Sequence, residues 1–106
     1  MKESKPLAYG YMRVSADVDD KTVRQVEQKL EDCAEAHGFS FAAIFHEFIS
    51  GSFTEWSELV RELQRADAHH VVVPSLSHLT QHAILRQSLL DQLEQAKAEV
   101  HELGDL

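Results

Sequence analysis

The sequence has little positive charge: 10 Lys and Arg stand against 18 Asp and Glu, for a formal net charge of −8. Duplex DNA is gripped by neutralising phosphates with Lys and Arg, so this balance argues against the chain holding nucleic acid by itself. Cys33 is the only cysteine, which excludes an internal disulfide and fits a reducing cytoplasm. No long apolar run occurs, so no membrane span is expected. Met1 to Pro6 lacks the apolar segment of a signal peptide. There are only 4 Gly, and none forms a phosphate-cradling loop after the first strand, which argues against dinucleotide or P-loop binding. Ser75 ends the central strand where a response-regulator receiver needs an acidic residue. What is present is ordinary for a folded domain: 106 residues, 43% of them hydrophobic, enough for one modest core.

The residues alternate between two periods. After a loose arm over residues 1–6, Leu7 to Val14 has the tyrosines and apolar residues of a strand. Asp17 to Asp20 is an acidic loop whose aspartates suit an N-cap. Val23, Val26, Leu30, Cys33 and Ala34 then mark one stripe of a helix from about Lys21 to His37, with Gly38 in the C′ position. Phe39 to Ile49 reads as a second strand, and Ser50-Gly51-Ser52 as a turn. Ser52 and Glu55 have the spacing of a capping box. Trp56, Leu59, Val60 and Leu63 give the inner stripe of a second helix ending near Ala66. His69 to Pro74 holds a continuous Val71-Val72-Val73 run, as in strands buried on both faces. Ser75 to Thr80 reads as a loop. A third helix follows from about Gln81 to Lys97, with Leu85, Leu89, Leu93 and Ala96 facing inward, and Ala98 to Leu103 is a last short strand.

Strands alternating with helices specify an α/β sandwich with a largely parallel sheet. Sites in such sheets lie beyond the C-terminal strand ends. Three segments should meet there: Arg13-Val14-Ser15, the Ser50-Gly51 turn, and Ser75 to His78. Arg13 and Ser15 point to the same side of their strand. Together they suit a phosphate, the arginine as a two-pronged ligand and the serine as ligand or nucleophile. The plainer alternative is a strand leaving the sheet at a polar turn.

Other residues admit sharp and plain readings. His78 and His82 have an i, i+4 spacing that can chelate zinc on a helix, but no third ligand is specified, and His69-His70 adds none. Solvated or capping histidines are the simpler account, and neither a metal nor a cofactor is expected. A Ser15–His78 nucleophile–base pair lacks any sign of an orienting carboxylate or oxyanion hole. Cys33 lies on a buried stripe and reads as core. Trp56 reads as a core plug, with an exposed contact residue as the alternative.

Tyr11-Met12-Arg13-Val14-Ser15 resembles the Tyr-x-Arg-Val-Ser opening of the serine recombinases, the resolvase and invertase family. Gln25, Gln28 and Leu30 are similar to that family's first helix. Ile44 to Gly51 resembles its second strand and Asp-x-x-Ser-Gly turn, with Glu47 in place of aspartate. Leu59 and Leu63 match core leucines, and Val71 to Leu79 resembles the third strand and following loop. The likeness covers nearly the whole chain. It implies a three-layer α/β/α sandwich over residues 1–106, with a mostly parallel sheet of about four strands in order 2-1-3-4. It implies site-specific DNA recombination through a phosphoserine link, with Ser15 as nucleophile and Arg13 as phosphate ligand, and DNA and partner subunits as associates. The DNA-binding domain and the long dimerisation helix of the family are not expected within these residues.

The departures fall on the reactive centre. Trp56 stands where the family has an arginine opening the second helix. Leu76-Ser77-His78-Leu79-Thr80-Gln81 stands for Leu-Asp-Arg-Leu-x-Arg, so Ser77 replaces an aspartate and His78 and Gln81 replace arginines. Ala16 to Asp20 replaces the family's polar run and adds negative charge beside Ser15. Phosphoryl transfer depends on stabilising charge on the phosphoryl oxygens, and one arginine finger is worth on the order of 10³–10⁵ in rate. The expectation is therefore an impaired or inactive recombinase domain acting as an interaction module. The alternatives are an active domain completed by a partner chain, or a phosphate- or small-molecule-binding domain.

Overall fold

The computed structural model describes residues 5–49 and 51–103. The elements run β1 (Leu7–Arg13), α1 (Asp20–Ala36), β2 (Ser40–Glu47), α2 (Thr54–Ala66), β3 (His70–Val73), α3 (Leu76–Leu79), α4 (Ala83–Gln95) and β4 (Glu99–Glu102). Every strand pair is parallel, and the order is β2-β1-β3-β4. The first crossover runs one way across the sheet and the later two run the other way. Right-handed crossovers therefore put α1 on one face and α2 and α4 on the other.

The expected α/β/α sandwich in order 2-1-3-4 is present. Two buried clusters fill it. Tyr9, Tyr11, Val71 and Val73 pack with Trp56, Leu59 and Leu63 of α2 and Leu89 and Leu93 of α4. Ala8, Met12 and Val72 pack with Leu30, Cys33 and Ala34 of α1. Strand alternation alone sorts the β1 and β3 residues between the two layers. Gly10 lies on the α1 side, where a Cβ would stand 2.9 Å from the Phe41 ring. Among the described residues, no helix is long and apolar enough to cross a membrane.

The β2 strand does not keep a simple alternation. Ala8 pairs with Phe41 but Tyr9 pairs with Ala43, so Ala42 is an extra residue, a bulge on the edge strand. One inserted residue switches which side each later side chain faces. Phe41 and Ile44 thus both pack toward α1. Phe45 joins the opposite core, and Glu47 reaches the start of α2.

Several local expectations are met and several are corrected. Asp19 is the N-cap of α1, accepting the Thr22 N–H at 2.8 Å, and Gly38 has the positive φ of 82° that a C′ glycine supplies. Gly51, with φ 78°, sits in a turn closed by the Ser52 N–H on the Ile49 carbonyl at 3.1 Å. Residues 1–4 of the expected arm and Ser50 of the expected turn lie outside the described residues. The Ser52–Glu55 capping box does not form. Phe53 is the N-cap residue of α2 without a side-chain bond, and Ser52 Oγ accepts only the Thr54 N–H at 3.3 Å. Glu47 satisfies the helix start instead. The expected loop over Ser75 to Thr80 contains the one-turn α3, capped by Ser75 Oγ on the His78 N–H at 3.1 Å. Thr80 returns to extended backbone, so the third long helix starts at Ala83 and not at Gln81. Leu85 is consequently 37% exposed and not on the inner line, while Leu89 and Leu93 are buried.

Trp56 is fully buried, so the core reading of this residue holds. Its ring meets Tyr11 edge-on at 4.9 Å and 87°. Its Nε1–H is the one buried side-chain donor without a partner among the described residues. Trp56→Arg would place an unpaired cation in this core. Chemical denaturation should show a loss of about 3–5 kcal/mol, or no folded protein; an unchanged midpoint would contradict the packing described.

Candidate active site

The C-terminal edge of the sheet gathers β1, β2 and the segment after β3. A cavity of about 750 Å³ opens there, lined by Arg13, Ser15, Glu47, Phe53 and His78 among others. It lies outside the carboxyl ends of the strands, near the β1–β3 boundary where the chain reverses its direction of travel across the sheet. The three expected segments do meet: Arg13 to Ser15, Gly51, and Ser77 to His78 all line it.

The floor of the site is a hydrogen-bonded chain. Arg13 Nη1 donates to Tyr11 Oη at 2.9 Å. Tyr11 Oη donates to Glu47 Oε1 at 2.9 Å. The Glu47 carboxylate accepts the Glu55 N–H at 3.1 Å and the Trp56 N–H at 3.3 Å. Glu47 is 4% exposed and is the only buried charged residue among those described. A buried carboxylate is tolerated where donors surround it and a helix N-terminus supplies positive potential, and both conditions hold here. Burial first, and then the Glu47 bond, push the Tyr11 pKa well above that of a free phenol, so Tyr11 stays protonated and able to donate.

Arg13 is held from several sides. Its guanidinium lies 4.6 Å over the Phe53 ring, with a longer contact of 3.5 Å from Nη2 to the Ile49 carbonyl. Its backbone N–H donates to His78 Nε2 at 2.8 Å. That bond requires an unprotonated Nε2, and His78 is held below its ordinary 6.5, chiefly by burial and then by the Arg13 charge. His78 therefore ties α3 to the end of β1. With Nε2 occupied it is not placed to take a proton from Ser15, and the nucleophile–base pair does not form.

Ser15 is exposed and lines the cavity. Its carbonyl accepts the Val18 N–H at 3.2 Å, while its hydroxyl has no hydrogen-bond partner among the described residues. Arg13 is the one permanent cation among the described residues lining the cavity. Ser77 and Gln81 line it as neutral groups. Trp56 faces the core, so no charge comes from that position. Arg86, which the sequence did not mark, turns to the Thr80 carbonyl at 3.1 Å. His78 and His82 do not share a helix face, because Thr80 breaks the helix between them. Sequence reasoning missed Tyr11 and Phe53 as parts of the site. Tyr11 carried a signal, being two residues from Arg13 on the same strand face.

Two outcomes follow for stability. Glu47→Ala removes the α2 cap and strands the Tyr11 hydroxyl, and urea unfolding should register a loss of about 2–4 kcal/mol. A loss below about 0.5 kcal/mol would show that α2 does not depend on this carboxylate. For His78, the folded state resists protonation more than the unfolded chain does. Its contribution is then complete above about pH 6.5 and is lost as the pH falls below that value, where the unfolded state binds the proton first. Thermal unfolding from pH 7.5 to 5 should show falling stability, and His78→Gln should flatten part of that fall.

Comparison with known proteins places this geometry. The sequence profile of the family "Resolvase, N terminal domain" matches residues 8–105. No curated protein gives a significant sequence match. Among solved structures, the C-terminal catalytic domain of ISC1926 TnpA, an IS607-like serine recombinase, superposes with a TM-score of 0.77 at 16% identity, over 94% of this chain and 71% of that one. A resolvase family site-specific recombinase from Streptococcus pneumoniae gives 0.79 at 15% identity, over 95% of this chain and 74% of that one. Identities this low carry the fold alone.

Proposed function

This chain belongs to the resolvase N-terminal domain family, and we propose that it is a serine recombinase domain that has lost strand cleavage and acts as an interaction module. The supporting observation is the cavity itself: among the described residues lining it, one permanent cation, Arg13, stands with Ser15, and its guanidinium is already engaged by Tyr11 and Phe53.

In the family reaction, the Ser15 hydroxyl would attack a DNA phosphorus. A phosphoserine ester would form, and the bond to the 3′ oxygen would break, releasing a hydroxyl. Ser15 would have to lose its proton, and negative charge on the phosphoryl oxygens would have to be balanced. The described residues offer no base in contact with Ser15. One arginine cannot surround the equatorial oxygens. Asp17, Asp19 and Asp20 follow Ser15 closely in the chain and add negative charge there.

An interaction role is supported by the rim. Phe48 and Ile49 line the cavity and are 67% and 71% exposed, and Leu85 lines it at 37% exposed. Apolar side chains clustered at a site's mouth suit a protein partner better than a phosphate backbone. The partner of the matching chemistry is another recombinase subunit. A second reading, an active domain completed by arginines from such a subunit, is favoured by the exposure of Ser15.

One assay separates the two. The protein is incubated with supercoiled DNA carrying candidate sites, alone and with an active recombinase, and covalent protein–DNA adducts are sought with Ser15→Ala as the control. The module reading expects no Ser15-dependent adduct in either mixture. An adduct with the protein alone would overturn the loss of cleavage, and one formed only in the mixture would establish completion by the partner.

A further inference from the structure

The opposite edge of the sheet carries a second group of chemically capable side chains. On the α1 face one helix covers a four-stranded sheet, and the core there draws on β1, β2 and Val72. Toward β4 that face turns polar. His70 opens β3, and Glu99 and His101 lie on β4. The register sets His70 directly across from Glu99. Glu99 and His101 are two residues apart and so project to the same side, the side opposite Val100.

The ligand atoms of these three residues lie within 4.8 Å of one another. His70 Nδ1 and His101 Nε2 are 3.2 Å apart. Two imidazole nitrogens on one tetrahedral zinc, each about 2.0–2.1 Å from the metal, stand about 3.3 Å apart. We propose that His70, Glu99 and His101 form a binding site for a first-row transition-metal ion, with zinc(II) the best match to two imidazoles and one carboxylate.

The frame is suited to this. All three residues sit on adjacent hydrogen-bonded strands, so their spacing is fixed by the ladder and not by a loop. The Phe39 ring stacks on His70 at 4.1 Å and 19°, fixing the plane of that imidazole. Glu99 is exposed, which gives an ion access and a position for water as a fourth ligand. The cluster lies away from the Ser15 cavity, at the end where β3 and β4 begin. Bound metal would therefore tie β4 to β3 without entering the recombinase chemistry. The same two rings could instead share a single N–H···N hydrogen bond, and the test distinguishes these.

The test uses the full chain without a histidine tag, stripped of metal by a chelator and titrated with zinc chloride in a calorimeter at pH 7.5. The expected result is uptake of one zinc per chain, with a rise in the unfolding temperature. Glu99→Gln and His101→Gln should weaken binding by about tenfold or more, and His69→Gln should leave it unchanged. Cobalt(II) in place of zinc should give the intense visible absorption of a four-coordinate site, lost in His101→Gln. No uptake by the parent protein would overturn the proposal, as would binding that survives both Glu99→Gln and His101→Gln.

Discussion

A single carboxylate holds the functional edge together. Glu47 ends β2, is buried, and accepts hydrogen bonds from Tyr11 and from the first turn of α2. It joins the central strand to the helix that covers it, and through Tyr11 it sets the position of Arg13. A buried carboxylate without these donors would cost several kcal/mol. With them it acts as a helix cap delivered from a neighbouring strand. Farther along α2, the Tyr9 hydroxyl donates to Glu62 at 2.8 Å, so the helix is attached to β1 at two points.

That carboxylate reaches its place because of the bulge at Ala42. Phe39, Phe41, Phe45 and Glu47 are all odd-numbered, and an unbroken strand would show all of them to one layer. The extra residue divides them. Phe39 and Phe41 stay with α1, while Phe45 and Glu47 pass to the α2 side. His46 is correspondingly left on the α1 side, 2.7 Å from Glu27. Edge strands tolerate such insertions because one side of the strand has no partner to keep in register.

The same network bears on reactivity. An arginine that supports a phosphate must present its donors to the open space. Here part of the guanidinium is committed to Tyr11 and Phe53, and His78 bonds to the backbone of Arg13 and does not reach toward Ser15. These contacts hold Arg13 and His78 against the fold at the strand ends. Trp56, beside the same carboxylate, fills the core and meets the Tyr11 ring edge-on.

The sequence by itself determined the alternation of strands and long helices, the parallel sheet, the two core layers, and the family, because apolar periodicity and the Tyr-x-Arg-Val-Ser opening are local properties. It also brought Arg13, Ser15 and His78 to one edge, since strand ends in such a sheet converge. Only the tertiary structure decided what those residues touch. The cap of α2 comes from Glu47, eight residues before Glu55, and not from nearby Ser52. The partner of His78 is a backbone N–H 65 positions away. The His70–Glu99–His101 cluster arises from strand pairing between distant segments. Periodicity records which side a residue faces until a bulge intervenes, and it carries no information about which distant donor will meet a given acceptor.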